Sequence, residues 1–115
     1  MNFEKLDVWK ASAQLSAELY IELKDLRDWG FKDQATRSGL SIPSNIAEGM
    51  SRTSASEKKR FLNITYSSAA ELKTQIWIGQ KVNYLDKELG TKWINQLDII
   101  SRMLTGLSRS LTEST

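Results

Sequence analysis

A single proline, Pro43, stands in 115 residues, and it falls inside a segment whose other residues keep helical period. Within a helix, proline removes one backbone donor and crowds the carbonyl four residues back. That carbonyl belongs to Gly39, which adds no side chain to the crowding. Residues 37–52, R-S-G-L-S-I-P-S-N-I-A-E-G-M-S-R, therefore predict a kinked but continuous helix. At about 100° per residue, Gln34, Arg37, Ser41, Asn45 and Glu48 share one face, and Ala35, Gly39, Ile42, Ile46 and Gly49 the adjacent one. Ser38, Ser41 and Ser44 are placed to satisfy backbone groups that the kink frees. Gly49 reads as the left-handed stop after the last turn.

The remaining chain supplies helices to pack against this one. Few β-branched residues follow one another, which disfavours a sheet. A first helix is predicted over residues 7–26, with Val8, Leu15, Leu19, Leu23 and Leu26 inward and Glu18, Glu22 and Asp25 outward. A reversal at Asp28-Trp29-Gly30 leads into the second helix, residues 31–48. Ser54-x-x-Glu57 reads as a capping box opening a third helix that runs to residue 83. Its core stripe is Leu62, Thr65, Ala69, Leu72, Ile76 and Gly79, and a second stripe of Phe61, Ile64, Ile78, Val82 and Leu85 widens the apolar sector. Such width suits a helix touching several neighbours or another subunit. Asp86 is the expected N-cap of a fourth helix, in which Trp93, Leu97, Ile100, Leu104, Leu107 and Leu111 follow the 4-3-4-3-4 spacing of a bundle seam. Residues 112–115 are expected to fray. The prediction is an all-α chain, residues 1–115 forming one antiparallel up-down four-helix bundle with a proline-kinked second helix.

Composition removes several functions. With no cysteine, disulfides and thiolate metal sites are excluded. With no histidine, the usual general base near neutral pH and the commonest metal ligand are missing. A di-metal carboxylate bundle needs Glu-x-x-His pairs, so that reading fails, and no cofactor is expected. The first ten residues alternate charged and apolar side chains, unlike a signal peptide. The longest uncharged runs, residues 38–47 and 61–70, are about half the length of a membrane span. A soluble, cytoplasmic protein without a membrane partner is the expectation, and Asn63-Ile-Thr65 is read as a chance match to a glycosylation acceptor.

Two residue sets could carry function. Gln34, Arg37, Ser41, Asn45 and Glu48, with Glu71 as an expected neighbour, could bind an anion or move protons. Equally, they could form a satisfied polar network that sets helix register. No activated nucleophile or imidazole accompanies them, so the structural role is preferred; a hydrolase built on Glu48 and Glu71 is the weakest reading. The second set lies on the third helix, where Lys59, Tyr66, Lys73, Trp77, Lys81 and Tyr84 interleave cations and rings along one stripe. Lysines on phosphates and rings on bases would hold single-stranded nucleic acid. Arg52, Lys58 and Arg60 extend the charge: residues 52–81 carry six basic and two acidic side chains, a net of +4, against +2 for the whole chain. The alternative makes the rings a subunit interface with lysine stems draped over it. Four tryptophans, at 9, 29, 77 and 93, exceed the needs of a small core and favour self-association.

The string R-x-x-x-S-I-P-x-N-I-A-E-G at residues 37–49 resembles the signature of the four-helix-bundle family encoded by intervening sequences of bacterial 23S ribosomal RNA genes. Further matches are F-x-x-L-x-V-W-K-A at residues 3–11, F-L at 61–62, A-E-L at 70–72 and R-M-L-x-G-L-x-x-S-L at 102–111. The resemblance covers nearly the whole chain. Thr65, Tyr66, Ser67 and Ser68 depart from the family's small Ala/Gly-Ser run, which leaves the packing near Tyr66 open. The resemblance implies a ring-like homopentamer, as in this family and in the related accessory proteins of diversity-generating retroelements. The latter cooperate with a reverse transcriptase and contact nucleic acid through basic surface. Taken together, the expectation is a non-enzymatic, homo-oligomeric and pentameric scaffold associated with RNA or other nucleic acid. The alternative is a ring-shaped adaptor that binds a partner protein and makes no nucleic-acid contact.

Overall fold

The computed structural model describes residues 2–111. After a 3-10 turn, Phe3–Lys5, come four helices: α1 (Asp7–Glu22), α2 (Trp29–Met50), α3 (Ala55–Lys81) and α4 (Lys87–Ser110). Among the described residues there is no strand. The molecule is 48 Å long and 21 Å in each other direction, as expected when α3 alone extends about 40 Å at ~1.5 Å per residue.

Side-chain ties give the direction of each helix. Tyr66 meets Thr105, Lys73 meets Asp98 and Gln80 meets Thr91, so every two turns forward on α3 match two turns back on α4. Along α2 and α3, Gly39 lies against Leu72, Ser41 against Ser68 and Gly49 against Phe61. Gly39 also abuts Leu19, and Lys32 reaches the carbonyl of Lys24, so α1 and α2 are opposed as well. Consecutive helices therefore run in opposite directions, and α1 closes on α4.

The core follows the apolar periodicity. Leu15 and Leu19 from α1, Ile42 and Ile46 from α2, Leu72 and Ile76 from α3, and Trp93, Leu97, Ile100 and Leu104 from α4 are sealed from solvent. All six residues expected on the α3 core stripe are buried, including Thr65, whose hydroxyl donates to the Phe61 carbonyl at 2.9 Å. Leu26, Leu107 and Leu111 pack only partly against the core. The caps form at the expected residues: Ser54 Oγ accepts from the Glu57 amide at 3.2 Å, and Asp86 from the Leu89 amide at 3.2 Å. Glu57 does not return the bond to Ser54; its carboxylate turns to Arg60 at 3.2 Å.

Several expectations are corrected. α1 ends at Glu22, four residues early, and Leu23 caps it. α2 starts at Trp29, two residues before the expected start, because the Asp28 carboxylate accepts from the Phe31 amide at 3.0 Å and caps it. α3 stops at Lys81, and Asn83 takes the left-handed turn with φ 64°. Gly49 is no helix stop, since α2 continues through Met50 and no glycine has positive φ. Its role is close approach: a Cβ there would lie 2.6 Å from the Phe61 Cβ of α3. Gly39 serves α1, because a Cβ would run into the Leu19 methyl. α2 passes through the buried Pro43 as one helix. The polar side chain bonded to backbone beside it is Asn45, whose amide donates to the Ser41 carbonyl at 2.8 Å, not a serine hydroxyl. Glu18, expected outward, is drawn into the α1–α4 seam. The expected fraying of residues 112–115 lies outside the described residues.

Candidate nucleic-acid interface

The first candidate set comes apart in three dimensions. Ser41 and Asn45 remain together at the α2–α3 seam: Asn45 Nδ2 donates to Ser41 Oγ at 2.8 Å, and Ser41 Oγ lies 2.8 Å from Ser68 Oγ. Because Ser41 Oγ already accepts from Asn45, its own proton is available to Ser68, giving a short relay between the helices. Sequence reasoning missed Ser68 as a member, although its place on the α3 face nearest α2 could have suggested it. Arg37 is exposed and pairs with Asp33 at 3.0 Å. Glu48 pairs with Arg52 at 3.3 Å. Glu71 is not a neighbour of Glu48. It lines a shallow groove of about 510 Å³ with Gln34, Thr74, Gln75 and Ile78. The antiparallel register places Glu71 level with Gly39, roughly 14 Å along the helix from Glu48 at ~1.5 Å per residue. Glu48 and Glu71 therefore do not share one site. Among the described residues no group of three or more acidic, histidine or cysteine side chains could hold a metal ion.

Part of the second set is brought together. α3 turns one face toward α4, and Tyr66, Lys73, Trp77 and Lys81 lie along it. Tyr66 is half-exposed, and its hydroxyl lies 3.2 Å from Thr105 Oγ1. The departure from the family's small-residue run is thus accommodated on the surface, while Thr65 and Ser68 are buried. Lys73 donates to Asp98 of α4 at 2.8 Å, which cancels part of the stripe's charge. Trp77 exposes 54% of its surface, and Lys81 Nζ sits 5.1 Å from its ring centroid. An ammonium over an indole is attracted by the ring's negative face. The pair borders a cavity of about 360 Å³ shared with Gln80, Asn83 and Lys87.

Tyr84 does not belong to the stripe. The left-handed turn at Asn83 breaks the helical wheel, and Tyr84 swings back to donate its hydroxyl to Asp28 at 2.8 Å. Its ring meets Phe31 edge-on, with centroids 5.2 Å apart. The Phe31 amide and the Tyr84 hydroxyl together hold the Asp28 carboxyl below its ordinary pKa, and the same hydrogen bond raises that of Tyr84. The residue ties two chain reversals at one end of the bundle.

At the other end, Arg52, Lys58, Lys59 and Arg60 gather around the α2–α3 turn. Arg52 and Arg60 both converge on the Phe61 ring, with guanidinium carbons 4.9 and 5.0 Å from its centroid. Each also holds a carboxylate, Glu48 and Glu57. Lys59 and Lys81 stand about 33 Å apart along α3 at ~1.5 Å per residue, and Lys73 between them is paired with Asp98, so the expected continuous basic stripe keeps its charge mainly at its two ends. On another side of α3, Ile64 and Ile78, with Val82 at its C-cap, remain exposed.

These features define a four-helix bundle with an exposed cation–aromatic face and a separate exposed apolar face. The model of the 23S rRNA-intervening sequence protein family matches residues 4–106, so the chain belongs to that family. A crystal structure of a protein of unknown function from the S23 ribosomal protein family, from Bacteroides thetaiotaomicron VPI-5482, has the same fold. Its TM-score is 0.83 at 22% identity, covering 88% of this chain and 97% of that one. No curated protein matches the chain. Among the described residues no helix is long and apolar enough to cross a membrane.

Proposed function

We propose that the protein is a non-enzymatic, cytoplasmic scaffold that assembles as a homopentamer and associates with RNA. The observation that carries the RNA contact is the half-exposed Trp77 with Lys81 over its ring, on the face of α3 that also bears Tyr66 and Lys73. A base stacking on the indole and a phosphate meeting Lys81 is the recognition mode of single-strand binders. The exposed Ile64, Ile78 and Val82 favour self-association, because water-exposed aliphatic side chains along one helix gain by being covered. In a ring each weak site is repeated, so modest contacts combine.

The second reading, a ring-shaped adaptor for a partner protein, is favoured by the ion pairs of Arg52, Arg60 and Lys73, which lower the charge offered to phosphates. Light-scattering mass with and without a labelled single-stranded RNA, across a salt series, separates the two. The RNA scaffold predicts a particle near five times 13.1 kDa that gains mass with RNA at low salt and loses it at high salt. Trp77→Ala and Lys81→Glu should each keep the assembly and weaken RNA binding by about tenfold. An RNA-indifferent ring would favour the adaptor, and a monomer would remove both.

A further inference from the structure

Among the described residues the most exposed large apolar side chain is Trp29, at 72%, and it stands on α2, apart from the residues of the α3–α4 face. It borders a cleft of about 300 Å³ where the end of α1 and the start of α2 diverge, lined also by Tyr20, Lys24, Lys32, Asp33 and Thr36. Two aromatic rings and two ammonium groups thus come from three different pieces of chain: α1, the α1–α2 turn and the first turns of α2.

One of the two cations is held in place. Lys32 Nζ donates to the Lys24 carbonyl at 3.1 Å and stands 3.8 Å from the Trp29 ring centroid. Its flexible stem is already ordered, so a ligand that meets this ammonium loses less side-chain entropy on binding. Asp33, the acid in the lining, is paired with Arg37 at 3.0 Å, which offsets its repulsion of an anion. Thr36 closes the floor, with its hydroxyl donating to the Lys32 carbonyl at 2.8 Å and its own oxygen still able to accept. Rings favour a flat partner and the two lysines a negative one. The volume is at the lower end of the range for small-ligand sites, roughly 300–1,000 Å³, enough for one base with its sugar and phosphate.

We propose that this cleft binds a planar aromatic anion of the size of a nucleoside monophosphate, with the ring system against Trp29 and Tyr20 and the phosphate on Lys24 and Lys32. The site is independent of the RNA face proposed above, since it shares no residue with it.

The test is calorimetric titration of the intact protein with adenosine and guanosine 5′-monophosphates, using adenosine alone and inorganic phosphate alone as half-ligands. Saturable binding of a monophosphate with a dissociation constant below about 1 mM is expected, at least about tenfold tighter than either half-ligand. Trp29→Ala and Lys32→Glu should each weaken it about tenfold. Both side chains are at the surface, and circular dichroism checks that the variants keep their helices. A Lys81→Glu control should bind the monophosphate as the parent does, even where its RNA binding is lost. Absence of saturable binding by either monophosphate would overturn the assignment. So would binding untouched by both cleft substitutions, or inorganic phosphate binding as tightly as the nucleotide.

Discussion

The seam between α2 and α3 and the seam between α1 and α4 join helices by opposite means. At α2–α3 the backbones come close: Gly49 faces the Cβ of Phe61, and the hydroxyls of Ser41 and Ser68 meet directly. At α1–α4 one large side chain bridges the gap. Trp93 is wholly buried, and its indole N–H donates to Glu18 Oε1 at 3.1 Å, with Lys92 beside the same oxygen at 3.8 Å. Small residues make the first seam intolerant of added volume, whereas a single bulky residue makes the second intolerant of its loss. Chain connectivity accounts for the assignment. α2 and α3 are joined by a short turn, while α1 and α4 are the elements furthest apart in sequence and must be recruited by side chains alone.

The sharpest way to break the second seam is Trp93→Ala, expected to cost about 3–5 kcal/mol because it removes the largest fully buried side chain and leaves a cavity. Urea unfolding of the variant and the parent measures it. The first seam is broken by addition. Gly49→Ala inserts a methyl against a Cβ that no rotamer change can withdraw, for about 1–2 kcal/mol after alanine's better helix propensity is counted. Gly39→Ala should cost less, since it meets the end of the flexible Leu19 side chain. Equal costs at the two positions would contradict the account of Gly49.

The hydrogen bonds of Glu18 give the α1–α4 seam a pH dependence that the α2–α3 relay lacks. Burial raises the pKa of Glu18, but the bonds from Trp93 and Gln14 and the charge of Lys92 outweigh it, so the net shift is downward from 4.5. A depressed carboxylate pKa adds stability that is complete above the unfolded value and is lost as pH falls through the folded one. Stability of the parent should therefore decline on acidification below about pH 4.5 more than that of Glu18→Gln. Thermal melts of the two proteins across that range make the comparison. The smallest expected effect is a gain. A Cβ on Gly106 of α4 would meet nothing within 4 Å, so Gly106→Ala should stabilise by about 0.5–1 kcal/mol through helix propensity alone.

Of the candidate interface, the part along one helix was legible and the rest was not. Tyr66, Lys73, Trp77 and Lys81 share a face because α3 is regular between them. Tyr84 was misplaced because the helical wheel was carried past Lys81, beyond which Asn83 turns the chain into the left-handed region. Glu18 looked like a solvent-facing acid from its own helix. Its true surroundings depend on Trp93, 75 residues away. The basic stripe looked continuous because the count of charges within residues 52–81 cannot include Asp98 or Glu48, which lie on other helices and neutralise two of its members.

Local physics was enough for the sequence to determine four helices, their caps at Ser54 and Asp86, and the identity of most of the core. Periodicity of apolar residues and the hydrogen bonding of a cap each operate within a few residues of chain. Tertiary structure alone decided that Gly49 is a contact point and not a helix stop, that Glu18 faces inward, that Tyr84 ties two reversals together, and that Tyr20, Lys24, Trp29 and Lys32 line one cleft. Each depends on an atom from another part of the chain, where distance in space is set by how the helices pack.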